Sequence, residues 1–265
     1  MRHISKKVLV LLILAVFGIV GLTVWSSVQS KNTEQVFIEN KTRSLIVESV
    51  KESGAKKDKN TTEISLRNNY DKSIAAYRVR VSENFNGKTE ESAVERGGLI
   101  VGWVLGPNEI KVEKFFTNPE AKTHLVIAAV LFEDGTGDGE IAELTRLQNI
   151  RAGVLLGFQK IVPILQNAVK MNESLSSDTA IQSLTEKIKQ LDDEDIPDNS
   201  KRGFALAKSY MSIELKDLKD KKSLDSAFSP DTKLATKLSE IELVLTKYPV
   251  NLPSKTVEIR RQNEN

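Results

Sequence analysis

The chain has 265 residues, of which 28 % are charged, with a formal net charge of +2 and no cysteine. The near balance of cations and anions gives no one-signed surface of the kind that binds nucleic acid, so we expect no nucleic-acid partner. The lack of cysteine excludes disulfide bonds, and stability therefore has to come from packed apolar cores.

The first predicted element is an apolar segment near the amino terminus. Residues 8–25 carry no charge and directly follow three cations, Arg2, Lys6 and Lys7. With residues 26–28 added, the segment is long enough to cross a bilayer, which takes roughly 20 apolar residues. The cations predict that residues 1–7 stay cytoplasmic and that everything after the segment is extracytoplasmic, either periplasmic or extracellular. We expect a single-pass signal-anchor helix over residues 8–28, in a membrane protein of the cell envelope.

A cleaved signal peptide is the alternative interpretation of the same segment. Signal peptides usually have a shorter apolar core, of about 7–15 residues, that ends in small residues. This core is longer and no Ala-x-Ala follows it, which favours the anchor, but Ser26 and Ser30 each complete a passable cleavage site. Because no cysteine follows the apolar segment, a bacterial lipoprotein is excluded.

Strand patterns follow over residues 34–138. Apolar and polar residues alternate around Ile64 and Leu66, and again over residues 77–81, with the period of a half-buried strand. Residues 125–132 form a continuous apolar run, as expected of a central strand covered on both faces. Further strand candidates are residues 36–38, 45–50, 99–105 and 110–112. Short strands separated by Gly, Pro and Asn turns predict an antiparallel β-sandwich domain.

Residues 64–132 combine a strand that ends in Arg-Asn-Asn, a long strand with the sequence Ala-Tyr-Arg-Val-Arg-Val, a Gly-Pro turn and a closing apolar strand. In this combination they resemble the immunoglobulin-like or fibronectin-like modules of bacterial envelope proteins. The Cys…Trp…Cys core of true immunoglobulin domains is absent, so Trp103 does not correspond to the core tryptophan of that family. The resemblance implies binding, spacing or scaffolding rather than catalysis.

A change of period predicts a helical domain over residues 139–250. Over residues 141–169 apolar side chains recur at intervals of three and four, along one stripe of a long helix. Two glycines and Pro163 in this stretch predict a kink or break near residues 159–163. Three further helices are predicted over residues 178–191, 200–218 and 231–247. We expect the helices to pack as a small bundle, followed by a disordered polar tail at 251–265.

The acidic, glycine-rich loop at residues 133–140 is the sharpest candidate for a site. A dinucleotide loop is excluded, because Glu140 stands where the third glycine belongs and the clustered carboxylates would repel a pyrophosphate. A calcium loop of the EF-hand type starts well at Asp134 but places Thr145 where the bidentate glutamate belongs. Two interpretations stay open: a turn that caps the following helix, which we favour, and a weaker open cation site using Asp134, Asp138 and Glu140.

No catalytic set of residues is recognisable. His124 is the only histidine after the apolar segment. A lone histidine cannot build a zinc site, and without a nucleophile in a known context it does not argue for a triad. We expect His124 to be a strand-end side chain with a backbone partner. No catalytic, cofactor-binding or metal-ligating residue is therefore assigned, and no cofactor is expected.

The sequence thus predicts an α+β fold with an amino-terminal transmembrane helix, an antiparallel β-sandwich and a carboxy-terminal helical bundle. We expect a binding or scaffold protein rather than an enzyme, with a protein partner whose identity the sequence does not give. Two alternatives stay open: a secreted or anchored hydrolase whose site is assembled from scattered acids, and an accessory subunit of a membrane complex.

Overall fold

The computed structural model describes residues 36–53, 60–97, 105–170, 178–224 and 230–248. Over these residues the chain is a mixed α+β protein. Its strands are β1 (Val36–Asn40), β2 (Leu45–Ser53), β3 (Asn60–Asn68), β4 (Ile74–Phe85), β5 (Lys88–Gly97), β6 (Ile110–Thr117), β7 (Lys122–Phe132) and β8 (Gly137–Gly139). Its helices are α1 (Ile141–Lys170), α2 (Asp178–Lys189), α3 (Lys201–Leu224) and α4 (Pro230–Lys247). The predicted segments 8–28, 99–104 and 251–265 lie outside the described residues.

The strands form two sheets. In sheet A the order is β1-β7-β4-β5, with β8 also paired to β7, and in sheet B the order is β2-β3-β6. β1 lies along the first half of β7 and β8 along its second half. β1 runs parallel to β7, with Val36 opposite Thr123, so the expectation of a purely antiparallel arrangement is wrong for this pair. The other strand pairs among the described residues are antiparallel.

Both sheets contribute to one apolar core. Sheet B supplies Leu45, Ile64, Leu66 and Phe115, and sheet A supplies Tyr77, Val79, Leu125, Ile127 and others. Side chains alternate across a strand, so the second face of β4 and β7 points the other way. On that face Ala76, Ala129 and Leu131 pack against Leu144 and Leu147 of α1. β7 is therefore covered on both faces, as its continuous apolar run predicts.

Helix α1 is continuous from Ile141 to Lys170, so of the kink or break expected near residues 159–163 the break is wrong. Pro163 lies inside the helix and removes one backbone hydrogen bond, the one that the carbonyl of Gln159 would accept. Both residues are on the exposed face of the helix. Water can solvate a carbonyl freed on that face, and the helix continues without a break.

Glycines of α1 and α3 do not break these helices; they allow the two helices to cross closely. A Cβ atom added at Gly153 would lie 1.9 Å from the carbonyl oxygen of Ser200, and one added at Gly203 would lie 1.8 Å from that of Ile150. Only glycine leaves room for backbones at this separation. The first turns of α3 therefore pack directly on the middle of α1.

The four helices share a second, almost wholly aliphatic core. Its fully buried members include Val154, Phe158, Ile161, Leu165, Ile188, Ala207, Met211, Leu215 and Ile241. The stripe predicted for α1 is confirmed from Leu144 to Leu165, whereas Ile141 is exposed and Val169 is at its edge. We call residues 36–139 the β region and residues 141–248 the helical region.

Candidate functional site

The carboxylates of the acidic loop each have a different partner. Asp134 accepts hydrogen bonds from the backbone and hydroxyl of Thr136 and from Lys72 Nζ, at 2.6–3.0 Å. Glu140 pairs with Arg80, with oxygen–nitrogen distances of 2.8 and 2.9 Å. The described residues contain no group of three or more His, Asp or Glu side chains arranged to hold a metal ion. In this structure Asp134 and Glu140 thus connect the loop to Lys72, before β4, and to Arg80 of β4.

Asp138 caps a distant loop, not the helix that follows it. Its Oδ2 accepts hydrogen bonds from the backbone N–H groups of Arg43 and Ser44, at 2.6 and 2.9 Å, and from the Ser44 hydroxyl at 3.0 Å. These groups lie between β1 and β2, so the expected helix-cap role is wrong for this residue. Asp138 instead ties β8 to the loop between the two sheets.

His124 lies on β7, opposite Phe37 of β1. The centroids of the two rings are 4.9 Å apart, and the Nε2 atom of His124 is 3.4 Å from a carboxylate oxygen of Glu39. Nε2 makes no hydrogen bond among the described residues, so the expected backbone partner is not found at this atom. Ser82 of β4 lies opposite His124 in the strand register, but no hydrogen bond joins these two side chains among the described residues, so they do not form a nucleophile–base pair in this structure.

The most heavily charged buried site is one that sequence reasoning missed. We call it the junction cluster: Arg78 of β4, Glu95 of β5, Glu143 of α1 and Arg202 of α3. Arg78 pairs with Glu95 and with Glu143, whose Oε2 is 2.5 Å from Nε. Arg202 reaches Glu95 from the helical side. The side chain of Arg78 is only 6 % exposed.

The geometry of the junction cluster fixes an orientation. One guanidinium in sheet A contacts a carboxylate on the neighbouring strand and another on α1, so a rotation between sheet and helix would break a buried ion pair. Desolvation offsets much of the attraction in such clusters, and their best-supported role is to specify one arrangement. Arg78 pairs with both carboxylates and Arg202 pairs with Glu95, while Arg80 also reaches Glu143, at 3.4 Å. The cluster is therefore suited to holding the two regions in place, not to acid–base chemistry.

A sequence signal for the junction cluster does exist. Arg78 and Arg80 occupy the outward positions of β4, next to a strand that is apolar on both faces. A strand of that kind needs a cover on its second face. Arginines beside it must then meet the covering element, and acids in the first turn of the next helix are natural partners.

A second buried polar site joins the two sheets. The hydroxyl of Tyr77, which is fully buried, donates a hydrogen bond to Glu113 of β6. Burial and this bond raise the pKa of Tyr77 far above its ordinary value. Burial alone would raise the pKa of Glu113, but hydrogen bonds from Tyr77 and Lys111 outweigh it, so the pKa of Glu113 is lowered. Arg96 also contacts Glu113, at 3.0 Å.

Hydrogen bonds join the end of α4 to the acidic loop. Glu133 binds Lys247 and the hydroxyl of Tyr248, and these hydrogen bonds lower its pKa. Arg151 of α1 donates to the carbonyl oxygen of Glu133 at 2.7 Å, and its guanidinium lies 4.4 Å from the centroid of the Tyr248 ring. The last helix is therefore held against the β region as well as against α1.

A cleft of about 240 Å³ lies between α3 and α4, lined in part by Met211, Leu234 and Lys237. Burial tends to lower the pKa of Lys237, but hydrogen bonds to Glu240 and Tyr210 outweigh it and raise the pKa. Pockets for organic ligands are usually about 300–1,000 Å³. This cleft is smaller, and its lysine is already paired, so it does not define a ligand site.

Comparisons of the chain with models of protein families, with curated proteins and with solved structures found no match. Among the described residues, one helix, α1, is long and apolar enough to cross a membrane by length and composition. Its most apolar stretch is 56 % buried inside the fold. Core helices of folded domains pass the same test, and α1 carries the junction cluster at its start.

Proposed function

We propose that the chain is a single-pass envelope protein that acts by binding or scaffolding outside the cytoplasm. The observation that carries the proposal is the uncharged segment at residues 8–25, preceded by Arg2, Lys6 and Lys7. A segment of this length and flank is retained in the membrane more often than it is cleaved, because its apolar core exceeds that of a signal peptide.

We further propose that the β region is a β-sandwich of the immunoglobulin-like or fibronectin-like kind and that the helical region is a bundle. The shared core of the two sheets supports the first proposal, since Ile64 and Leu66 of one sheet and Leu125 and Ile127 of the other belong to the same cluster. The shared aliphatic core of α1 to α4 supports the second.

A scaffold role is favoured over an enzymatic one by how the charged groups are used. In the described residues the buried acids and cations pair with each other across element boundaries, as in the junction cluster and at Tyr77 and Glu113. A fixed angle between two regions is what a spacer or scaffold needs in order to present a partner surface. The partner we propose is a protein of unknown identity.

Membrane retention is tested by washing membranes that contain the native chain with alkaline carbonate. We expect the chain to stay in the pellet and to keep Trp25 and Ser26. A soluble mature form that starts near Ser27 or Lys31 would replace the anchor with a signal peptide. Protease added to sealed vesicles or spheroplasts, from the outer side, should degrade the folded region, and protection of that region would overturn the topology.

Scaffolding is tested by affinity purification from detergent-solubilised membranes after cross-linking. We expect a protein partner to be retained by the wild type and to be lost when the Arg78→Met change loosens the junction cluster. A matched Arg67→Met change in sheet B, at a side chain that is 35 % exposed and pairs with Glu48, should retain it. Recovery of the chain alone from cross-linked membranes would contradict the scaffold proposal.

A further inference from the structure

The chain enters the fold at one defined end of the two sheets. Val36, the first residue of β1, lies opposite Thr123 at the start of β7, and Thr123 lies opposite Glu83 near the end of β4. Glu83 in turn accepts a hydrogen bond of 2.9 Å from the backbone of Asn118, which follows β6. The start of β1 and β7 and the ends of β4 and β6 therefore lie together.

This end of the β region is close to the proposed anchor. Residues 29–35 connect the predicted membrane segment to β1. Seven residues span at most about 25 Å when fully extended. The end at which β1 begins must therefore lie near the bilayer surface if the anchor is in the membrane, an assumption that rests on the proposed function.

All exposed phenylalanines of the described residues lie at this end. Phe37, the second residue of β1, is 64 % exposed, Phe85 at the end of β4 is 37 % exposed, and Phe116 near the end of β6 is 68 % exposed. The other phenylalanines in the described part of the chain are buried: Phe115, Phe132, Phe158 and Phe204. At the opposite end of the sheets, the exposed aromatic side chain of Tyr70 is stacked on Phe132.

We propose that Phe37, Phe85 and Phe116, the phenylalanine rim, insert into the interfacial layer of the bilayer that holds the anchor. Phenylalanine side chains on an amphipathic surface insert readily at the boundary of headgroups and acyl chains. Among the described residues, exposed charges of both signs lie at this end, with Lys88 and Lys122 beside Glu90 and Glu120. The contact is thus apolar and does not require anionic lipids. It holds the folded region against the lipid surface.

The absence of cysteine makes the test direct, because a single introduced cysteine takes one label. The full chain is reconstituted in phosphatidylcholine vesicles with an environment-sensitive fluorophore at Lys122→Cys, beside the rim, or at Asp71→Cys, at the opposite end. Lipids with spin-labelled headgroups quench the fluorescence. We expect at least threefold stronger quenching at position 122 than at 71, and equal quenching would overturn the proposal.

A variant with Phe37→Ser, Phe85→Ser and Phe116→Ser should lower the quenching at position 122 toward the level at 71. The matched control, Ile213→Ser with Leu243→Ser, removes exposed apolar side chains from the helical region and should leave it unchanged. Quenching that appears only when phosphatidylglycerol is added would point to charge attraction and overturn the apolar contact. Cross-links between two copies at position 122, without quenching, would also overturn it.

Failure of this inference and failure of the anchor give different results. A chain that stays in the carbonate pellet but shows equal quenching at both positions keeps its anchor and lacks the rim contact. A chain that leaves the pellet overturns the proposed function, and the rim contact with it.

Discussion

The β region and the helical region stabilise their interiors in different ways. Of the ten buried polar or charged residues in the described part, eight belong to the β region. Asn68 is typical, since its amide nitrogen lies 2.8–3.1 Å from three carbonyl oxygens of neighbouring turns. The helical core is aliphatic, and its helices approach through glycines. Directional bonds thus specify the first region, and shape specifies the second.

The contact between the two regions depends on directional polar bonds, as the interior of the β region does. Its apolar part is small, five residues of which two are alanines, whereas the buried ion pairs of Arg78 connect β4 to β5 and to α1, and the half-exposed Arg202 of α3 adds a contact to Glu95. A small apolar contact permits several orientations of similar energy. The directional pairs of Arg78 select one of them.

The largest expected effect is therefore at Arg78. Arg78→Met removes a guanidinium that is 6 % exposed and leaves Glu95 and Glu143 buried without it. Breaking a buried pair in this way costs about 3–5 kcal/mol. We expect that loss in the free energy of unfolding, measured by urea titration and circular dichroism of the full chain in detergent. Arg67→Met, at a side chain that is 35 % exposed and pairs with Glu48 in sheet B, is the control and should cost at most about 1 kcal/mol. Equal costs would show that the junction does not depend on burial of the pair.

Shape specification in the helical region is tested at Gly203. Gly203→Ala places a Cβ atom 1.8 Å from the carbonyl oxygen of Ile150, so α1 and α3 must separate. We expect a loss of about 1–3 kcal/mol by overpacking, although alanine favours an isolated helix by about 1 kcal/mol. Lys216→Ala, on the exposed face of α3, should change stability by less than about 0.5 kcal/mol. A stabilised Gly203→Ala variant would contradict the close crossing.

Directional specification in the β region is tested at Tyr77. Tyr77→Phe keeps the ring in the core but deprives the buried carboxylate of Glu113 of one donor. The expected loss is about 1–3 kcal/mol, the cost of an unsatisfied buried group. Tyr210→Phe, in the helical region, removes a half-buried hydroxyl that is 3.1 Å from Lys237 and should cost less. A larger loss of stability in Tyr210→Phe than in Tyr77→Phe would contradict the contrast between the two regions.

The carboxylate of Glu113 also makes the stability of the chain depend on pH. The pKa of Glu113 is lower in the folded chain than the ordinary value of 4.5, so the folded state holds the charged form more tightly than the unfolded state does. This contribution is complete above pH 4.5 and is lost as the pH falls through the lowered pKa. We expect the urea midpoint of the wild type to decrease as the pH is lowered through that acidic range. The midpoint of Glu113→Gln should decrease less steeply. If the midpoint of Glu113→Gln depended on pH as steeply as that of the wild type, the titrating group would be a residue other than Glu113.

The smallest expected effect is at the acidic loop. Asp138→Ala frees the backbone N–H groups of Arg43 and Ser44, and Asp134→Ala frees that of Thr136. Each change should cost about 0.5–2 kcal/mol, the range for a lost cap. Calcium should raise the melting temperature of the wild type little. A large calcium-dependent rise that disappears in Asp138→Ala would make the loop a metal site.

Local patterns in the sequence located most elements, because a strand or helix face is a property of neighbouring residues. The strands around Ile64 and Tyr77 and the apolar stripe of α1 follow from periodicity alone. The parallel pairing of β1 with β7 and the cap of Asp138 on Arg43 do not, since both join residues far apart in the chain. The predicted break at Pro163 is wrong because a helix can accommodate a proline where the carbonyl that loses its hydrogen bond faces water.

The parallel pairing of β1 has a mechanical consequence. The proposed anchor pulls β1 from its Val36 end, along the strand axis, while β7 is held by its neighbours. Tension between the membrane and the helical region would therefore load the hydrogen bonds from Val36 to Asn40 together, in shear, rather than open them one after another. Strands loaded in shear resist force far better than strands that unzip. If the chain is anchored as proposed, β1 is the strand that would resist tension between the bilayer and the folded region.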